Sequence, residues 1–249
     1  MRAVNFAQLN NEVAANFRCI AFHVNAVYHI AKVGNVIDTE TTGLIEPQLI
    51  EVAWSKINSP VDLDAFGWFS QRYAPTKRIE LGAMSTHHIM DEDLVNCPMH
   101  FHFSLPVDIS YLIGHNIDYD WSVISKPDIK RICTLALSRY LWPELDSHKQ
   151  SAMIYHLERE KARELLKNVH NATCDVYNCI VLLGHIITKL GDITSWEQLW
   201  EVSEKARVPI KFHFGKHRGE LIEDTPVSYR QWMLKQPDID PYLREALEK

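Results

Sequence analysis

The chain has 249 residues, of which 46% are hydrophobic and 23% charged, which is enough for one α/β domain with an appendage. Its apolar runs are far shorter than the ~18 residues of a membrane span, and the stretch from Cys19 to Ile30 lacks a secretory cleavage site, so we expect a cytoplasmic protein without a membrane partner. Five cysteines without a C-x-x-C pair indicate neither a disulfide framework nor a zinc site. The net charge of −6 favours nucleic-acid binding only where positive residues are clustered.

Residues 1–32 fit no clear pattern, and we assign them to an N-terminal extension of unclear role. From Val33 onward, apolar runs separated by turn residues predict three consecutive strands, followed by helices that alternate with short strands. The predicted strands are Val33 to Asp38, Leu49 to Ile57, Leu63 to Tyr73, Tyr111 to Gly114, and Arg131 to Cys133. This order is typical of an α/β fold with a mixed sheet.

The first candidate site residues lie where the first predicted strand ends. Asp38 and Glu40 follow an apolar run and precede the turn residues Thr41, Thr42 and Gly43. Because side chains two apart on a strand point to the same face, we expect both carboxylates at one edge of the sheet. Acids that directly follow an apolar strand are costly to bury unpaired, and two hard oxygen donors on a rigid strand are suited to a metal ion.

A second signal is a histidine five residues before an aspartate, which occurs as His88/Asp93, His115/Asp120 and His170/Asp175. Spacing alone does not choose among the three pairs. The third pair opens a long helical pattern, on which Asp175 shares a stripe with Ala172, Cys179, Leu182 and Ile186. A carboxylate on a buried stripe needs a partner, and a metal ion is the natural one, although the helix dipole is an alternative.

These segments together resemble the DEDDh family of 3′-to-5′ exonucleases. The stretch from Val36 to Leu44, with the run that begins at Leu49, resembles the family's first motif. Residues 83–90 resemble its substrate-facing segment, 115–120 its second motif, and His170 with Asp175 its third. The resemblance implies a ribonuclease-H-like mixed sheet flanked by helices, with a strand order that the sequence pattern itself does not reveal.

The resemblance also implies roles at a site with two Mg²⁺ or Mn²⁺ ions. Asp38 would bridge both ions, Glu40 and Asp175 would complete the first ion's site, and Asp120 would hold the second ion, partly through water. His170 would be the general base, since histidine changes its protonation near neutral pH. Asp118 competes with Asp120, because both share a face if the segment is extended. We favour Asp120, which alone follows an aromatic residue, Tyr119.

Substrate contacts are implied in the same way. Thr41, Thr42 and Leu44 would lie beside the terminal nucleotide. His87 would line the path of the strand, and Asn116 of the second motif is a further candidate.

Residues 192–249 are predicted to form a small C-terminal α+β module, separate from an exonuclease domain at 33–191. The pattern predicts a helix from Ser195 to Ala206, a hairpin from Lys211 to Ile222, and a helix that starts at Pro226. The F-x-F-G-K-x-R-G pattern within it resembles the C-terminal segment of an exodeoxyribonuclease of this family.

Charge within the C-terminal module is uneven, because no acid occurs between Lys205 and Gly219. Candidate DNA contacts are Lys211, Lys216 and Arg218. Interleaved with Phe212 and Phe214, these cations would track a strand's backbone while the rings stack on its bases. The alternative is a packing module whose aromatics form a core.

We therefore predict a metal-dependent 3′-to-5′ exodeoxyribonuclease that releases 5′-mononucleotides from single strands or from the 3′ ends of duplex DNA. Three alternatives stay open: an RNA 3′-trimming enzyme, a polymerase proofreading subunit, and an inactive nucleic-acid-binding protein. An RNA substrate would require the same acids and differ at the 2′-OH. A zinc hydrolase built from the thirteen histidines lacks a ligand-spaced cluster. The sequence predicts no particular protein partner.

Overall fold

The structure is a computed structural model that describes residues 32–167 and 170–249. The predicted N-terminal extension, apart from Lys32, lies outside the described residues. Those described belong to one compact unit. Within these ranges, no helix combines the length and the apolar character that a membrane crossing requires.

A five-stranded mixed sheet forms the centre of the fold. Its strands are β1 (Val33–Thr41), β2 (Leu49–Ser59), β3 (Asp62–Arg72), β4 (Ile109–Gly114) and β5 (Lys130–Cys133). The order across the sheet is β3-β2-β1-β4-β5. The first three strands pair antiparallel, whereas β1 with β4 and β4 with β5 pair parallel. The prediction of a ribonuclease-H-like mixed sheet is confirmed.

Helices cover both faces of this sheet and continue into the C-terminal module. They are α1 (Leu81–His87), α2 (Ile117–Val123), α3 (Thr134–Leu141), α4 (Gln150–Leu157), α5 (Ala162–Leu165), α6 (Ala172–Leu190), α7 (Trp196–Arg207), α8 (Val227–Leu234) and α9 (Pro241–Glu248). Two short 3₁₀ turns, Asp91–Leu94 and His100–His102, precede β4.

Strand β1 has buried residues on both faces. Val36 on one face joins the core formed with α6, in which Val176 and Leu183 are fully buried. Ile37 on the other face joins a second core with α2, through Ile117. Because the strand is clamped between two layers, the acids at its end are held on a rigid support.

Helix α7 packs on the main core rather than with the rest of the predicted C-terminal module. Trp196 is buried there, and its indole Nε1 donates to the carbonyl of Asn58 at 3.1 Å. A Cβ on Gly34 would lie 2.8 Å from the indole, so only glycine permits this close approach to β1. The division between the two predicted domains at residue 191 stays a prediction.

A separate small core begins at Phe212. It is completed by Ile222, Met233, Leu243 and Leu247. The predicted hairpin is reduced to one antiparallel bridge between Lys211 and Leu221, flanked by backbone hydrogen bonds from the Phe212 N–H to the Glu220 carbonyl and from the Ile222 N–H to the Ile210 carbonyl. Between Lys211 and Leu221 the chain makes tight turns at Gly215 and Gly219, whose positive φ values of 74° and 89° favour glycine. The chain around Phe212 therefore follows the packing of this side chain in the small core, rather than the regular strands that the alternating sequence predicts.

Candidate active site

Asp38 and Glu40 lie near the carboxyl end of β1, on the face that packs against α6. Both are partly accessible from a cleft, while Thr39 between them is buried on the opposite face. Glu40 is directly opposite Glu51 of β2 in the antiparallel ladder. The strand therefore presents its two acids together, as the alternation of side chains requires.

Asp120 reaches the same region from the first turns of α2. Its Oδ1 accepts hydrogen bonds from the backbone N–H and the hydroxyl of Thr39, at 2.9 and 2.7 Å. Asp118 lies elsewhere and forms ion pairs with Arg131 and Arg207. The segment is helical rather than extended, so residues two apart do not share a face. The helix therefore directs Asp118 and Asp120 to different places, whereas an extended segment would have placed them on one face.

His170 and Asp175 meet Glu40 from the start of α6. One ligand atom from each of these three residues lies within 4.8 Å of the others. Asp175 Oδ2 accepts from the backbone N–H of His170 at 2.9 Å, and Oδ1 accepts from the amide of Gln150 at 3.3 Å. His170 has a φ of 66°, a left-handed conformation that is uncommon for histidine and often found at functional sites.

The stripe predicted for α6 is present, since Ala172, Asp175, Cys179, Leu182 and Ile186 are all buried. The other two histidine–aspartate pairs make different contacts. The ring nitrogens of His115 contact the Thr134 hydroxyl and the His148 carbonyl, and burial lowers the pKa of His115 to about 4. Asp93 accepts from the backbone of Met90.

The carboxylates at this site are buried close to one another, which raises their pKa values. Burial, followed by repulsion from Asp120, Asp175, Glu40 and Glu51, raises the pKa of Asp38 well above its ordinary value. Burial and the neighbouring acids raise the pKa of Glu40 to about 8. Burial likewise raises the pKa of Asp120 to about 7, against the opposing effect of its hydrogen bonds with Thr39. Repulsion between neighbouring acids thus adds to the effect of burial at Asp38 and Glu40.

A divalent cation fits this donor set. Hard carboxylate oxygens are the ligands that Mg²⁺ and Mn²⁺ prefer, and a cation would offset the repulsion that raises these pKa values. Glu40 and Asp175 already have ligand atoms at a spacing suited to one ion. The arrangement therefore supports a metal site at the end of β1.

The predicted substrate residues around this site fall into two groups. Leu44 is 81% exposed, and Asn116 lines the cleft with a φ of 72°. Thr41 and Thr42 are buried, where their hydroxyls bond to Gly43 and Gln48 within the turn. These bonds hold the turn that displays Leu44.

His87 is also buried, and its Nδ1 accepts from the backbone of Ile89 at 3.0 Å. The ring lies beneath the surface, and a contact of His87 with the path of a strand stays a prediction. Burial is also the main factor that lowers the pKa of His87, which favours a neutral structural role.

A cleft of about 970 Å³ opens over the acids. Asp38, His170 and Asp175 line it together with Lys211 and Arg218 of the C-terminal module. Lys216 is not part of the lining. Phe212 is 1% exposed and belongs to the small core, while Phe214 is 53% exposed. Of the two rings expected to stack on bases, Phe212 is therefore inaccessible.

Sequence reasoning missed Glu51, a buried acid of β2. Its Oε1 pairs with Arg72 Nε at 2.9 Å, and its Oε2 accepts from the backbone N–H of Ala172 at 3.2 Å. Glu51 thus ties the first turn of α6, which carries Asp175, to the sheet. The signal was present, since Glu51 interrupts the apolar run from Leu49 to Trp54. Gln150, which contacts Asp175, had no such signal.

Comparison with known proteins agrees with these observations. No family model matches the chain. Exodeoxyribonuclease 10 of Escherichia coli K12 is 26% identical over 229 residues, which cover 86% of this chain and 96% of the relative. A PolC-type DNA polymerase III of Oceanobacillus iheyensis is 27% identical over 169 residues, which cover 62% of this chain and 11% of the polymerase.

Solved structures share the fold. Exonuclease X in complex with 5′-overhanging duplex DNA matches with a TM-score of 0.51 and 23% identity, covering 68% of this chain and 99% of that structure. An E. coli exonuclease I complex with single-stranded DNA matches with a TM-score of 0.52 and 18% identity, covering 71% and 43% of the two chains. By sequence and by fold, this chain is similar to the DEDDh-type 3′-to-5′ exonucleases, and over most of its length to exodeoxyribonuclease 10.

Proposed function

We propose that this protein is a metal-dependent 3′-to-5′ exodeoxyribonuclease that releases 5′-mononucleotides. The observation that carries the proposal is the convergence of four acids and one histidine, from three separate segments, on one site at the end of β1. Asp38 and Glu40 come from β1, Asp120 from α2, and His170 with Asp175 from the start of α6. Burial of several carboxylates that repel one another costs free energy, and bound divalent cations would offset that cost.

The acids would hold two divalent ions, Mg²⁺ or Mn²⁺. Asp38, Glu40 and Asp175 would bind the first, and Asp38 with Asp120 the second. When bound, such ions supply a nucleophile at neutral pH and stabilise the charge on the leaving oxygen of a phosphodiester. The hydrogen bonds from Thr39 to Asp120, and from Gln150 and His170 to Asp175, orient these carboxylates for that task.

His170 would accept the proton of the attacking water. Its side chain is exposed and adjacent to Glu40 and Asp175, so it can face the cleft. Its backbone N–H is already bonded to Asp175, which fixes the main chain and leaves the imidazole free for proton transfer. Histidine is suited to this role near neutral pH.

The terminal nucleotide would lie against the turn after β1. Leu44 projects from that turn, where it can pack against the last base, and Asn116 lines the cleft nearby. Thr41 and Thr42 would act indirectly by shaping the turn. Lys211 and Arg218 would contact the strand's phosphates, since both line the same cleft. DNA is favoured as the substrate by the similarity to exodeoxyribonuclease 10.

Digestion of matched DNA and RNA oligomers tests the proposal. Single strands labelled at the 5′ end are incubated with Mg²⁺ or EDTA, using wild type, Asp38→Ala and a control, Asp128→Asn, whose exposed acid lies outside the cleft. We expect a Mg²⁺-dependent ladder that shortens from the 3′ end, absent in Asp38→Ala and retained in the control, with DNA degraded faster than RNA.

Other outcomes identify the alternatives. Faster loss of RNA would indicate an RNA-trimming enzyme. Binding of DNA without cleavage of either strand under Mg²⁺ or Mn²⁺ would contradict the proposal and indicate an inactive nucleic-acid-binding protein.

A further inference from the structure

A half-buried cation without an ionic partner lies in the active-site cleft. Arg139, on α3, lines the cleft with Lys211 and Arg218, and among the described residues it forms no ion pair and no side-chain hydrogen bond. Arg131 and Arg207, by contrast, both pair with Asp118. Desolvation lowers the pKa of Arg139, so its burial has a cost that no protein carboxylate offsets.

Other positive groups lie near Arg139. Partial burial, followed by the charges of Arg139, His148 and Arg218, lowers the pKa of His213 to about 4. This effect requires the two guanidiniums to lie within electrostatic range of the same ring. Asp146 lines the cleft as well, but it is not within ion-pair distance of Arg139 in the described structure.

We propose that Arg139, with Lys211 and Arg218, forms a subsite for a non-scissile backbone phosphate of the substrate strand. The proposal rests on the exonuclease function proposed above and extends it. A phosphate oxyanion supplies the partner that Arg139 lacks, and a guanidinium binds it through two parallel hydrogen bonds. The acids that line the same cleft would hold the scissile phosphate, so the three cations are left for a neighbouring phosphate.

This subsite joins the two cores of the protein. Arg139 belongs to a helix packed on the sheet, whereas Lys211 and Arg218 belong to the segment around the Phe212 core. A DNA strand bound in the cleft would therefore contact residues that belong to both cores. The subsite also explains how a chain of net charge −6 holds a polyanion, because its cations are concentrated where the strand passes.

The test compares substrates with and without a neighbouring phosphate. Arg139→Gln, Arg139→Lys and a control, Arg163→Gln, whose exposed side chain is outside the cleft, are assayed on a DNA oligomer and on the p-nitrophenyl ester of thymidine 5′-monophosphate. We expect kcat/KM for the oligomer to fall about tenfold in Arg139→Gln and the log–log salt slope to decrease by about one. Activity on the ester should not change.

Arg139→Lys, which keeps the charge, should retain the salt slope of the wild type. Inhibition by thymidine monophosphate should be unaltered in all variants, which separates a strand phosphate from the phosphate of the released product. Equal losses on oligomer and ester, or no loss on the oligomer, would overturn the proposal. Thermal melting checks that each variant is folded.

A binding measurement separates failure of the subsite from failure of the proposed function. Fluorescence anisotropy of a labelled single strand in EDTA does not depend on cleavage. Affinity should fall about tenfold in Arg139→Gln, fall in Lys211→Gln, and stay unchanged in the control Arg163→Gln, whose side chain is outside the cleft. If the wild type cleaves neither substrate but Arg139→Gln still binds the strand less tightly, the subsite stands without the nuclease. Unchanged affinity would refute the subsite.

Discussion

The acidic end of β1 and the loop around Phe212 respond differently to the same kind of sequence pattern. Acids alternate with threonines at the end of β1, and basic residues alternate with phenylalanines around Phe212. At the end of β1, Asp38, Thr39 and Glu40 face the directions that strand alternation predicts, because pairing with β2 fixes the backbone. Around Phe212 the alternation is interrupted by tight turns, and a single bridge remains. Pattern is therefore informative where neighbouring strands enforce it.

At the end of β1, a variant of His170 distinguishes a general base from a metal ligand. His170→Gln should lower kcat by about 10²–10⁴-fold, the usual contribution of a general base, while Mn²⁺ affinity measured by calorimetry stays close to that of the wild type. Asp175→Asn, by contrast, should weaken Mn²⁺ binding. If both variants lost Mn²⁺ equally, His170 would be a metal ligand instead.

The loop offers a matched pair of aromatic residues. Phe212→Ala should destabilise the protein by about 3–5 kcal/mol, because it leaves a cavity in the small core. Phe214→Ala, which truncates an exposed ring, should change the free energy of unfolding by about 0.5 kcal/mol or less. Urea denaturation measures both. Comparable losses would mean that the loop's two rings are equally buried, contrary to the structure.

Glu51 connects β2 to the first turn of α6. Glu51→Ala should cost about 2–3 kcal/mol, because the Ala172 N–H is left buried without an acceptor and Arg72 loses its partner. Nuclease activity should also decline as the start of α6 loosens. Glu92→Ala, at an exposed position, serves as control. Hydrogen exchange at the first turn of α6 reads the effect directly, and unaltered protection there would contradict this positioning role.

The smallest expected effect is a pH dependence of metal-free stability. The folded-state pKa values of Glu40 and Asp120, about 8 and about 7, exceed the values of about 4 in unfolded chains. Between those limits the folded state binds more protons than the unfolded state. The contribution of these two groups to stability is therefore largest below about pH 4 and is lost as the pH rises through about 7 and 8.

Thermal melting in EDTA should therefore show a midpoint that falls between about pH 5 and about pH 8, and Mg²⁺ should restore it at the higher pH by offsetting the charge. Glu40→Gln should flatten the profile. A midpoint that rises with pH in EDTA would show that these acids are not destabilised by burial.

Local sequence was sufficient for the elements and for the acids themselves. The strands begin within two residues of their predicted positions and end within three, because apolar runs and turn residues are local features. The stripe on α6 also follows from helical periodicity. Asp118 and Asp120 could not be separated on the same grounds, since the choice depends on Arg131 and Arg207, which are distant along the chain.

The sequence by itself thus determined the sheet-forming segments, the face shared by Asp38 and Glu40, and the resemblance of three motifs to one family of exonucleases. Tertiary structure alone decided that Glu51 and Gln150 support the site, that His87 and Phe212 are buried, and that Arg139 shares a cleft with Lys211 and Arg218. The physical reason is that periodicity reports a side chain's direction within its own element, whereas burial and partnership depend on which distant elements pack against it.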